Sequence, residues 1–182
     1  MKSFIYSLQL LILVLFFSSC EKSSEESTSS NYNYIGNGEI NGITFTDVNG
    51  NYISTIDHSD WKTMDLFSSS ISALFSFNDT INYNSADTSS ITVFPAYPNP
   101  TNQLLSLVLN STQATVMKFV IVDSAQVVRF YGAKALIPGN NALYFDFQDS
   151  TLALNSKYRM FYRFYHSPNN FYKSGHGDIL KQ

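Results

Sequence analysis

The strongest constraint on the fold is an alternation of apolar and polar side chains in the second half of the chain. Leu105, Leu107 and Leu109 are separated by Ser106 and Val108, and Met117, Phe119 and Ile121 form a second such row ending at Asp123. Tyr158, Met160, Tyr162 and Phe164 then occupy one parity of a long segment, and Arg159, Phe161, Arg163 and Tyr165 the other. A period of two places alternate residues on opposite faces of a strand and suits no helix. Ser124-Ala125 and Pro138-Gly139-Asn140-Asn141 supply turns, leading into Val127–Tyr131 and Ala142–Phe147. Short alternating segments at close spacing predict an all-β, antiparallel β-sandwich.

The first half is less regular. Asn37-Gly38, Asn41-Gly42 and Asn49-Gly50 are turn pairs that tolerate positive φ. Ile43–Phe45 and Tyr52–Ile56 read as strands flanking the last of them, and Leu74–Phe77 and Ile91–Phe94 as further strands around a polar loop from Asn78 to Ser90. Asp60 is positioned to N-cap a short helix near 60–67. About 150 residues follow Ser30, which is the size of one domain. Residues 34–182 are therefore expected to form a single β-domain.

At the N-terminus, Met1-Lys2 precedes an apolar run from Phe4 to Phe17. That run suits a secretory signal and is shorter than the ~20 residues of a spanning helix. Phe16-Phe17-Ser18-Ser19-Cys20 resembles the lipobox of bacterial lipoproteins, and Cys20 is the one cysteine of the chain. The resemblance implies a signal peptide over 1–19, lipidation of Cys20, and a membrane partner through that lipid at the cell envelope, with the outer membrane expected. Two or three acyl chains would hold firmly, because each buried CH₂ contributes about 0.8 kcal/mol. Residues 20–33 comprise the Cys and a tether whose Glu21–Ser30 stretch holds no apolar residue, so it cannot offset the entropy of ordering. Lys22 with Glu25-Glu26 resembles the surface-export signals of Bacteroidota lipoproteins; a solvated spacer is the alternative reading.

Tyr97-Pro98-Asn99-Pro100 opens a segment whose later landmarks are the Leu105/Leu107/Leu109 row, Phe119–Asp123, Pro138–Asn141, Lys157-Tyr158 and a terminal Lys181. This order resembles the C-terminal sorting domain of type IX secretion substrates and the immunoglobulin-like domains of flagellar hook-cap proteins, over 91–182. It implies an immunoglobulin-like sandwich. Independently, prolines on both sides of Asn99 fix an extended turn that cannot lie within a strand ladder.

Motifs for catalysis are weak. No Gly-x-Ser-x-Gly elbow or Gly-rich phosphate loop is present, and His58, His166 and His176 do not pair at metal spacing. Asp47–Asn51 has oxygen side chains at calcium-loop spacing, but Tyr52 and His58 stand where that loop needs Gly and an acid, so a turn is expected. Gly175-His176-Gly177-Asp178 lets backbone approach a ligand closely, or marks a bulged or irregular final strand. No cofactor is expected. Asp79-Thr80, Asp123-Ser124 and Asp149-Ser150 resemble Bacteroidota O-glycosylation acceptors at Thr80, Ser124 and Ser150. The net charge of −3, without a basic run, points away from nucleic acid. The expected role is a non-enzymatic structural, adhesive or assembly component. A glycan- or protein-binding module using Arg159, Phe161, Arg163 and Tyr165 as an exposed face is the alternative, and a small envelope hydrolase a third.

Overall fold

The computed structural model describes residues 33–35, 40, 42–63, 65–83 and 89–182. The signal-peptide and lipidation assignments, and the tether up to residue 32, therefore lie outside the described residues, and Asn33 opens the first strand. Two antiparallel sheets form a β-sandwich. One contains β3 (Ile91–Val93), β4 (Leu104–Ser111) and β7 (Gly139–Asp146) in the order β3-β4-β7. The other contains β5 (Thr115–Asp123), β6 (Val128–Leu136), β8 (Ser156–Ser167) and β9 (Asn170–Lys181) in the order β6-β5-β8-β9. Earlier in the chain, β1 (Asn33–Ile35) pairs in parallel with β2 (Asp65–Phe67), and α1 covers Ser69–Ala73.

The alternating rows lie as their spacing predicts. Leu105, Leu107 and Leu109 face Met117, Ile121, Tyr158, Met160, Tyr162 and Phe164 across the space between the sheets, all buried in one cluster. The opposite face of β5 and β8 is also covered. There Val120, Val122 and Phe161 pack with Ile71 and Phe75, flanked by Phe67, Leu74 and Phe77. The domain thus has a second, thinner apolar layer built from α1 and its flanking segments.

That layer differs from the expected elements. The helix begins after Ser68, whose hydroxyl accepts from Ile71 N, rather than at Asp60. Asp60 is drawn away by Thr44 N, which donates to its carboxylate at 3.2 Å, and Trp61 at φ 57° is left-handed and interrupts any helix. Leu74–Phe77 leaves α1 as turns, with Leu74 N, Phe75 N and Ser76 N bonded to carbonyls of the helix, so no strand forms there. Residues 42–56 hold isolated bridges, Thr46 with Tyr52 and Thr46 with Asn99, in place of two strands. Asn49-Gly50 does form the turn: Asp47 Oδ1 accepts from Asn49 N and Asn51 N at 2.8 and 2.9 Å, and Gly50 has φ 82°.

Pro98-Asn99-Pro100 fastens this irregular segment to the sandwich. Both X-Pro bonds are cis. Asn99 is fully buried; its Nδ2 donates to Thr44 O and Asp178 O at 2.9 and 2.8 Å, and its Oδ1 accepts from Leu180 N at 3.0 Å. All side-chain capacity that the local backbone can use is engaged.

Candidate functional site

β9 is an edge strand, and residues 57–63 and Asp65 lie against it. Alternate residues of a strand face opposite sides. Gly175 and Gly177 face one side of β9, His176 and Asp178 the other. A Cβ on Gly177 would collide with the Trp61 ring, and one on Gly175 with Lys62 O. The glycines therefore admit the chain's own backbone and indole, and β9 itself is regular here rather than bulged. Trp61 N donates to His176 O at 2.7 Å, and the indole joins the core between the sheets. The Tyr162 hydroxyl lies 2.6 Å from Lys62 O and 3.1 Å from His176 O.

On the other side of β9 the same segment assembles a polar cluster. Asp178 stands directly opposite Arg159 in the β8–β9 register, and the guanidinium donates to both carboxylate oxygens at 2.6 Å. His176 Nδ1 lies 2.6 Å from Asp65 Oδ2, from a residue 111 positions earlier. His176 Nε2 is 3.8 Å from Asp60 Oδ1, beyond hydrogen-bond reach, and that oxygen has no partner. Asp65 Oδ1 and Trp61 Nε1 are likewise buried without partners. Burial, then the Asp178 carboxylate, push the Asp60 carboxyl up to about 8. Asp178 is also raised by burial, against the pull of Arg159. Such a group of ionisable side chains, closed off from water, is costly unless its charges balance.

The row Arg159, Phe161, Arg163, Tyr165 shares a face as expected but is not an exposed platform: all four are buried. Arg159 is held by Asp178. Phe161 lies under Phe67 with ring centroids 5.3 Å apart. Arg163 is enclosed by Phe67, Phe75 and Phe171 at 5.1, 4.8 and 4.1 Å. Tyr165 helps enclose Lys118, which also meets Asp79 at 2.6 Å and the Phe77 and Tyr83 rings. The face is covered because the Phe67–Tyr83 stretch brings its own aromatics to it, and cations between ring faces are stabilised there.

An accessible concavity lies elsewhere. β6 and β7 are edge strands of their two sheets, and a cleft of about 430 Å³ opens between them. Phe119, Phe130 and Phe145 line it from the inner faces of the sheets with Lys134 and Asp146 at hand, and Tyr131 and Tyr144 flank it from the outward positions of the two strands, where the Tyr131 ring packs on Phe77 at 5.0 Å. Tyr131 and Tyr144 are 62% and 65% exposed. The residues of this cleft were missed by sequence reasoning; the signal was the adjacent aromatic pairs Phe130-Tyr131 and Tyr144-Phe145, one on each edge strand.

Thr80, Ser124 and Ser150 are exposed. The preceding aspartates each brace a turn: Asp79 accepts from Ile81 N, Asp123 from Ala125 N and Asp149 from Thr151 N, at 3.0, 2.9 and 2.8 Å.

No family model and no curated protein matches the chain. Solved structures with local likeness include a putative β-galactosidase from Bacteroides fragilis, at 8% identity and TM-score 0.33 over 53% of this chain and 15% of that one. The sensor domain of an anti-sigma factor from Pseudobacteroides cellulosolvens gives 9% identity and TM-score 0.34, over 53% of this chain and all of that one. A β-glucosidase from Listeria innocua in complex with glucose gives 12% identity and TM-score 0.27, over 50% of this chain and 16% of that one. The chain thus spans about a sixth of each of the two glycosidases it matches.

Proposed function

We propose that this protein is a lipid-anchored, non-enzymatic β-sandwich of the cell envelope that adheres to glycan through the cleft between β6 and β7. The carrying observation is a cleft lined by Phe119, Phe130 and Phe145 with Lys134 and Asp146, flanked by two exposed tyrosines, Tyr131 and Tyr144, at the outward positions of its two edge strands. Aromatic rings offer an apolar face to the C–H side of a pyranose, and a few polar groups fix its hydroxyls. Catalysis is disfavoured because the concentrated titratable groups, Asp60, Asp65, His176 and Asp178, are sealed from solvent. The lipobox-like Phe17–Cys20 supplies the anchor, and exposed Thr80, Ser124 and Ser150 are the O-glycan acceptor positions in this reading.

The test uses the full chain in detergent with cellohexaose, xylohexaose and chitohexaose as probes. Binding to at least one, lost on combined Tyr131→Ala and Tyr144→Ala substitution with the fold intact, supports the reading. Failure to bind any of them, or binding that survives both substitutions, overturns it. Acyl labelling that persists in Cys20→Ala would separately overturn the anchor.

A further inference from the structure

We propose that the Asp60–His176–Asp178 cluster is a structural site for one divalent transition-metal cation with nitrogen and oxygen preference, of the Zn²⁺ class, which fastens residues 57–63 and Asp65 to β9. The donor atoms of these three side chains lie within 4.8 Å of one another. Asp60 supplies an oxygen, Oδ1, that is buried and unpartnered and lies 3.8 Å from His176 Nε2. Both side chains are essentially sealed from solvent, at 0% and 2% exposure.

His176 is oriented as a ligand. Asp65 holds Nδ1 at 2.6 Å, which fixes the proton there and leaves the Nε2 lone pair directed at the gap. A carboxylate on the far nitrogen is the usual support for a metal-binding imidazole. Zinc–nitrogen and zinc–oxygen bonds of about 2.0–2.2 Å bring two tetrahedral donors to about 3.4 Å. The observed 3.8 Å gap needs a closure of only a few tenths of an ångström. Asp178 offers a third oxygen, its carboxylate steadied by Arg159.

Charge balance points the same way. Asp60, Asp65 and Asp178 carry three negative charges when ionised, and Arg159 returns one positive. Tyr162 stays neutral, since burial raises it well above its ordinary range. One divalent cation beside them brings that sum to zero. Asp57 stands at the rim, partly exposed, and adds to the attraction.

The pocket is closed, so the cation enters while residues 57–63 and Asp65 are lifted. The experiment accordingly refolds the full chain, without a histidine tag, in detergent with Zn²⁺ alone, or with Mg²⁺ alone as comparison. One Zn²⁺ should remain per chain after gel filtration, with a raised melting temperature, and Mg²⁺ should leave neither effect. Asp60→Asn and His176→Gln should each lower Zn²⁺ affinity by more than tenfold, and Asp65→Asn by about 10–100-fold through loss of the imidazole's support. Zinc-edge X-ray absorption on the unsubstituted chain covers the case in which these variants do not fold. One imidazole among oxygens supports the site. A sulfur in the first shell, from Cys20, overturns it. So do absence of retained zinc and unchanged affinity in folded Asp60→Asn and His176→Gln.

Discussion

Replacing Gly177 with Ala adds one methyl group where the Trp61 ring lies against β9. The ring has no room to accept it: a Cβ at this position falls within the ring's own atoms. Either β9 bends or Trp61 leaves its seat. Trp61 is 5% exposed and belongs to the core between the sheets. Losing a large aromatic from such a place costs about 3–5 kcal/mol, and partial relaxation of β9 puts the expected loss near 3 kcal/mol. For a domain of this size that lowers the melting temperature by about 6–12 °C. Trp61 is the single tryptophan of the chain, so its emission reports its own seating. Guanidinium denaturation followed by tryptophan fluorescence should show a lower midpoint and a red-shifted native spectrum. Gly139→Ala is the contrast: its φ of 97° is unfavourable to Ala but no atom crowds it, so a loss of about 1 kcal/mol without spectral change is expected. An unshifted native spectrum and midpoint in Gly177→Ala would refute the packing of residues 57–63 and Asp65 against β9.

Two buried arginines should respond differently to Met. Arg159→Met strands the Asp178 carboxylate and should cost about 3–5 kcal/mol, whereas Arg163→Met keeps an apolar stem among Phe67, Phe75 and Phe171 and should stay within about 1 kcal/mol; equal losses in urea denaturation would contradict this. With metal chelated, stability should fall as pH rises from about 4 to 8. Asp60 titrates near 8 when folded and near 3.8 when unfolded, so its contribution is whole below the lower value and gone above the upper one. Denaturation midpoints at pH 5 and pH 8 should differ less in Asp60→Asn than in the unsubstituted chain; an equal or larger difference would contradict the assignment.

The sandwich was legible because β4, β5 and β8 carry apolar rows at two-residue spacing, and those inward rows are the observed core. The covering layer was not. Residues 42–83 pack by single aromatics on turns and one short helix, and such contacts leave no period. Parity placed Arg159, Phe161, Arg163 and Tyr165 on one face correctly. It could not tell water from a second layer, because a cation between aromatic rings and a solvated cation look alike in sequence. The polar cluster was hidden for another reason: Asp60 and Asp65 precede His176 by more than a hundred residues, and only the flanking glycines of His176 marked the spot. They were read as admitting a ligand, and what they admit is the chain's own Trp61-Lys62.

Backbone amide chemical shifts during titration with the best-bound hexasaccharide test the glycan-binding cleft most directly. The account predicts perturbations concentrated on Tyr131–Lys134 and Ala142–Asp146, at the two edge strands, with β9 silent. Perturbations centred on any other surface, or none at saturating sugar, would contradict it.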